Sequence, residues 1–240
     1  MESRFRFEIC AVNIQSAMAA QEAAAHRIEL CSALDAGGIT PSAGLIQSVL
    51  ESINIPVNVL IRPREGGFCY SEKELDVMLK DIAFCRRAGV HGVVVGALTP
   101  EWELDIPKLS VMREAASGME MVHHRAFDFC KSPFLAIEQL IDLGFTRVLS
   151  SGQANSAYEG RDLLQELVER ARGRISVMPG AGINKNNIAA IASVTGATEF
   201  HFTGKKQVTS HKIRPISGLE ESYWQSDIHE IKEIIQAVSE

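Results

Sequence analysis

Glu8-Ile9-Cys10 and Glu29-Leu30-Cys31 repeat one pattern near the start of this chain, a carboxylate and a thiol separated by a single apolar residue. Alternate residues of a β-strand share a face, so each Glu points the same way as its Cys. Further polar groups gather at the ends of later apolar runs: Arg62-Pro63-Arg64, His123-His124-Arg125-Ala126-Phe127-Asp128, Ser150-Ser151-Gly152, Gly180-Ala181-Gly182, and His201 with Thr203. Glu8, Glu29, His124 and Asp128 are candidates for proton transfer, His124 because an imidazole changes charge near neutral pH. Arg62, Arg64 and Arg125 carry the donors that grip a phosphate or carboxylate. Ser151, Gly152, Gly180, Gly182 and His201 would complete a ring around such an anion. Gly180-Ala181-Gly182 with Asn184 reads as the backbone cradle that barrels build after their seventh and eighth strands.

Plainer readings stand beside these. A buried carboxylate is costly unless paired, so Glu8 and Glu29 with Arg62, Arg64 and Arg125 would equally make a salt-bridged plug. Tight turns need glycine with or without an anion. His123 should face away from His124 and read as structural. Cys10, Cys31, Cys69, Cys85 and Cys130 are odd in number and lack Cys-x-x-Cys, so they read as reduced thiols rather than a disulfide or zinc framework.

Positioning these groups requires many parallel strands. Phe7–Val12, Arg27–Cys31, Val57–Arg62, Gly92–Gly96, Met119–His124, Arg147–Ser150, Ile175–Pro179 and Glu199–Phe202 are short apolar or β-branched runs alternating with segments of helical period. The pattern predicts an α/β chain with a single (β/α)8 TIM-type barrel, whose functional residues belong at the C-terminal strand ends. Helix signals agree with the alternation. Ser71-Glu72-Lys73-Glu74 forms a capping box before Leu75, Met78, Leu79 and Ile82; Ser132-Pro133 and Thr40-Pro41 each open a helix. Asn184 caps a helix carrying Ile188 and Ile191, Asp162–Ala171 stops at Gly173, and Ser226 precedes Ile228, Ile231, Ile234 and Ile235. Residues 1–240 read as one domain, with a long structureless connection at about 205–225 lying over the barrel mouth or joining an oligomer contact.

Composition narrows the partners. With 46% hydrophobic residues the chain can build a sizeable core, and a net charge of −6 works against tracking nucleic-acid phosphates. No apolar run reaches the roughly 18 residues needed to cross a bilayer, and Met1-Glu2-Ser3-Arg4 leads into a strand rather than a signal peptide. The expectation is a soluble, cytoplasmic protein with no nucleic-acid or membrane partner.

Taken together, the motifs resemble the CutC family of copper homeostasis proteins over nearly the whole chain. The resemblance rests on Glu8-Ile9-Cys10, Arg27-Ile28-Glu29-Leu30-Cys31, Gly37-Gly38-Ile39-Thr40-Pro41-Ser42, Ile61-Arg62-Pro63-Arg64 and Phe68-Cys69-Tyr70-Ser71. It continues through His124-Arg125-Ala126-Phe127-Asp128, Ser151-Gly152, Met178-Pro179-Gly180-Ala181-Gly182-Ile183 and Thr198-Glu199-Phe200-His201. It implies a TIM-type barrel, a cytoplasmic location, a homo-oligomer (dimer or tetramer) and copper binding, with Cys10 and Cys31 at the cysteines suspected as ligands. Soft thiolates suit Cu(I), so the two could share one ion. The alternative is an enzyme acting on a small anionic phosphate or carboxylate, held by the arginines and worked on by Glu8, Glu29, Asp128 or His124.

Overall fold

The computed structural model describes residues 4–209 and 222–239. Eight parallel strands run through its centre: β1 (Arg6–Ala11), β2 (Arg27–Leu30), β3 (Val57–Leu60), β4 (Gly92–Val95), β5 (Glu120–His123), β6 (Arg147–Ser150), β7 (Ser176–Pro179) and β8 (Glu199–Phe202). Their hydrogen-bonded order is β7-β6-β5-β4-β3-β2-β1-β8, and the end strands β7 and β8 lie against each other, which gives a nearly closed barrel. Helices alternate with them: α1 (Ile14–Glu22), α2 (Ala43–Ser52), α3 (Glu72–Ala88), α4 (Ile106–Ala115), α5 (Pro133–Asp142), α6 (Arg161–Ala171), α7 (Ile188–Thr195) and α8 (Ile228–Ser239). The main core lies between strands and helices, built from the outward face of each strand: Phe7 and Ile9, Ile28 and Leu30, Val57 and Val59, Val93 and Val95. A second cluster fills the lumen with Cys10, Cys31, Leu60, Val94, Val122, Leu149 and Met178.

The expected strands all form, with ends within two residues of their apolar runs. Local chemistry sets the helix starts. Ser71 and Glu74 cap α3 reciprocally, and Pro133 occupies the first turn of α5. Thr40-Pro41, by contrast, does not open α2; its N-cap is Ser42, which accepts from the Leu45 N–H. Thr40 instead brackets the end of β3, its hydroxyl accepting from the Arg62 N–H at 2.8 Å. Similarly, Asn184 forms a turn ahead of α7, whose N-cap is Asn187.

The connection expected to be structureless begins and ends as a hairpin of β9 (Lys205–Thr209) and β10 (Ser222–Ser226), paired antiparallel; residues 210–221 lie outside the described residues. Trp224 of this hairpin donates to Asp35 at 2.8 Å, which pins it beside the turn that follows β2 at the barrel mouth. On the last helix, Ile231 and Ile234 are buried within this chain.

Candidate functional site

The lower lumen is a closed ionic network. Arg27 Nε donates to Glu8 Oε2 at 2.6 Å, and its Nη2 donates to Glu199. Arg147 bridges Glu199 and Glu120, while Asn58 Nδ2 donates to Glu8 at 3.2 Å. Glu8 therefore pairs with Arg27, not with the arginines at the mouth, because the residues two positions before Glu29 and His201 share their inward face. Burial alone would raise the Glu8 carboxyl, but Arg27 and the His201 hydrogen bond hold it well below the usual carboxylate range. Arg27, Arg147, Glu120, Asn58 and Glu199 are not among the residues named from the strand ends; each lies two residues before an inward-facing position (Glu29, Leu149, Val122, Leu60 and His201), so alternation is the signal that finds them.

Above this network opens a cavity of about 520 Å³ at the C-terminal mouth. Cys10, Cys31, Glu29 and His201 line its deeper part, with Arg62, His124, Arg125 and Lys205 around them and Leu34, Leu60, Phe68, Leu149 and Ile183 as apolar wall. The Cys10 and Cys31 sulfurs are 3.4 Å apart. One ligand atom each from Cys10, Glu29 and His201 falls within 4.8 Å of the others. His201 Nδ1 lies 2.8 Å from Glu8 Oε1, which leaves Nε2 as the ring nitrogen for Cys10 and Glu29.

Their protonation is interdependent. Its contact with Cys31, then burial, pushes the Cys10 thiol well above its ordinary value. Burial lifts the Glu29 carboxyl to about 7, aided by the Glu8 charge and opposed by His201. Burial disfavours a charged His201, yet Glu29, Cys10 and Glu8 together hold it well above the usual histidine range. Glu29 Oε2 is buried without a hydrogen-bond partner.

His124 is held well below the usual histidine pKa by burial, then by His123 and Arg62. Its Nδ1 accepts from the Ala126 N–H at 3.0 Å, so the ring proton sits on Nε2, itself buried and unpartnered. Arg62 is buried too; among the described residues its guanidinium donates to the carbonyls of Ala36, Gly38 and Gly66 and lies over the Phe68 ring. Among the described residues no carboxylate pairs with it.

Other expected members turn elsewhere. Arg64 pairs with Glu74 and donates to the Glu65, Gly67 and Cys69 carbonyls, bracing its own loop. Asp128 accepts from Arg125, Ser150 and the Ser151 backbone, so it ties the loops after β5 and β6 together. Ser151 joins that tie, donating to Asp128 Oδ2, and Gly152 packs against Gly160 where any side chain would collide. Gly180 packs against Leu149 and His201, while Gly182 lines the cavity. The start of α8 offers no open anion seat, because the Asp227 carboxylate already accepts its first N–H groups. His123 faces outward among Phe127 and Phe145, as its alternation with His124 predicts.

The fold and cavity define an eight-stranded α/β barrel protein with a paired-thiol pocket at its C-terminal mouth. The chain belongs to the CutC family, whose model matches residues 5–206. A CutC family protein of Glaesserella parasuis serovar 5 (strain SH0165) is 46% identical over 202 residues, covering 84% of this chain and 83% of its own. The crystal structure of a CutC protein from Streptococcus agalactiae, named for copper homeostasis, superimposes with a TM-score of 0.79 at 35% identity, covering 83% of this chain and 98% of that one. Phosphoribosylanthranilate isomerase of Thermotoga maritima, at 12% identity, a TM-score of 0.59 and 98% coverage of both chains, shares the fold alone.

Proposed function

We propose that the cavity floor binds Cu(I) through Cys10 and Cys31 and that the chain handles copper in the cytoplasm. The observation that carries this reading is the 3.4 Å separation of the two sulfurs. Atoms so close can both bond one ion, since metal–thiolate bonds are about 2.3 Å long. The donor set suits a soft monovalent metal: two sulfurs, with the His201 imidazole beside them. Glu8 supports that ring from behind, a carboxylate–histidine pairing that orients metal-binding imidazoles. The ion is cargo, and the apolar wall around the thiols keeps it from water. The copper homeostasis name of the Streptococcus agalactiae relative supports the same reading. Family resemblance adds a homo-oligomer, dimer or tetramer. Titration with Cu(I) against a competing chelator tests the site: one equivalent should bind, and a Cys10→Ser, Cys31→Ser double variant should lose it. Equal isotherms would overturn the reading.

A second reading, an enzyme acting on a small anion, is favoured by Arg62, a buried cation that donates to three neutral carbonyls and has no carboxylate partner among the described residues. Glu29 and His201 are the groups placed for proton transfer in it.

A further inference from the structure

The cavity is far larger than one metal ion needs, and its polar atoms are unevenly satisfied. Arg62 brings a buried positive charge with no carboxylate partner among the described residues. His124 presents Nε2–H, a buried donor without an acceptor. Arg125 lines the same space, held from behind by Asp128 and Ser151, at 2.8 and 3.0 Å. Lys205 completes the cationic rim, its Nζ 3.9 Å from the centre of the Trp224 ring, so the hairpin carries this charge to the mouth. Deeper in, Glu29 Oε2 is a buried acceptor with nothing donating to it. A buried carboxylate oxygen left in this way is satisfied by a donor such as a hydroxyl.

Buried polar groups cost stability when unpaired and are normally satisfied by protein, water or ligand. A single molecule satisfies all of these at once if one end is an anion and the other carries a hydroxyl. We propose that the mouth binds a small hydroxylated organic anion, its phosphate or carboxylate held by Arg62, His124, Arg125 and Lys205 and its hydroxyl donating to Glu29. Leu60, Phe68 and Leu149 flank the carbon skeleton. The proposal names the ligand of the second reading and rests on it for location, yet stands whether or not that ligand is transformed.

Calorimetry on the metal-free, reduced full chain tests it, with glycerol 3-phosphate, D-glycerate, inorganic phosphate, glycine and glycerol as probes. Glycerol 3-phosphate or D-glycerate should bind with submillimolar Kd, and which of the two does so separates phosphate from carboxylate. Inorganic phosphate should bind at least about tenfold more weakly, and glycerol not at all, since a charge-assisted contact and a satisfied buried acceptor each weigh about that much. His124→Asn retains an acceptor for the Ala126 N–H but removes the Nε2 donor, and Lys205→Gln removes a rim charge from an exposed side chain. Each should weaken binding by about tenfold while leaving Cu(I) binding unchanged. Failure of both hydroxylated anions to bind below 10 mM, or binding unaltered in both variants, would overturn the proposal. Preference for glycine would overturn it in favour of a zwitterion. Binding as expected with no chemical change of glycerol 3-phosphate or D-glycerate on long incubation would retain the proposal and count against the enzyme reading alone.

Discussion

Cys10 and Cys31 bring their sulfurs to 3.4 Å although the β1–β2 ladder pairs Cys10 with Glu29 and sets Cys31 two residues further along. That offset corresponds to a Cα separation of about 8 Å from strand spacing and rise, beyond the roughly 4.4–6.8 Å of ordinary disulfides. The thiols meet by leaning toward each other, a posture that suits a shared ion better than a bond. Mild oxidation with diamide should therefore leave the Cys10–Cys31 pair reduced, as read by mass spectrometry after alkylation. Rapid formation of that disulfide would show that the strands shift easily.

Arg27 is nearly fully buried between Glu8 and Glu199. Removing one partner of a buried ion pair leaves the other charge unpaired, at a cost of about 3–5 kcal/mol. Arg27→Met should lower unfolding stability by that amount in urea, with little change in the slope. A loss below about 1 kcal/mol would mean that Glu8 finds compensation elsewhere.

Strand alternation made the barrel and most of its mouth legible: Glu29, Cys10, Cys31, Arg62, His124 and His201 were named from their places on apolar runs, and all line the cavity. Depth was harder to read. Whether an inward residue belongs to the mouth or the closed end depends on strand tilt and stagger, set by barrel closure rather than by any strand. Glu8 thus shares Cys10's face yet belongs to the lower network with Arg27. Arg64 was illegible for another reason: its carbonyl partners exist only once the loop from Glu65 to Cys69 has folded around it.

His123 provides a pH signature. Burial among aromatic rings lowers its pKa from 6.5 to about 4. The unfolded chain takes up this proton below about pH 6.5 while the folded chain resists until about pH 4, so the contribution is present above 6.5 and lost as pH falls. Relative to a His123→Phe variant, the wild-type chain should lose up to about 3 kcal/mol across that window. Urea unfolding at pH 7.5, 5.5 and 4.5 checks this, and parallel pH profiles for the two proteins would contradict it.

Gly152 has a φ of +69°, and a Cβ there would stand 2.1 Å from the Gly160 carbonyl oxygen. Gly152→Ala should cost about 3 kcal/mol through strain and overpacking. Gly182→Ala, where φ is +71° but the nearest atom is the Ser156 Cβ at 3.3 Å, should cost distinctly less. Thermal unfolding of the two variants decides the order, and equal losses would show that backbone conformation alone governs both.

X-ray absorption at the copper edge of the Cu(I)-loaded chain tests the central claim directly, because sulfur and nitrogen neighbours are distinguishable in the first shell. With Cys10 and Cys31 as ligands the spectrum should require two sulfur scatterers, and loading should release protons, since the Cys10 thiol is held well above its ordinary pKa. A first shell of nitrogen and oxygen alone, or an unchanged spectrum in the Cys10→Ser, Cys31→Ser double variant, would contradict the paired-thiol copper site.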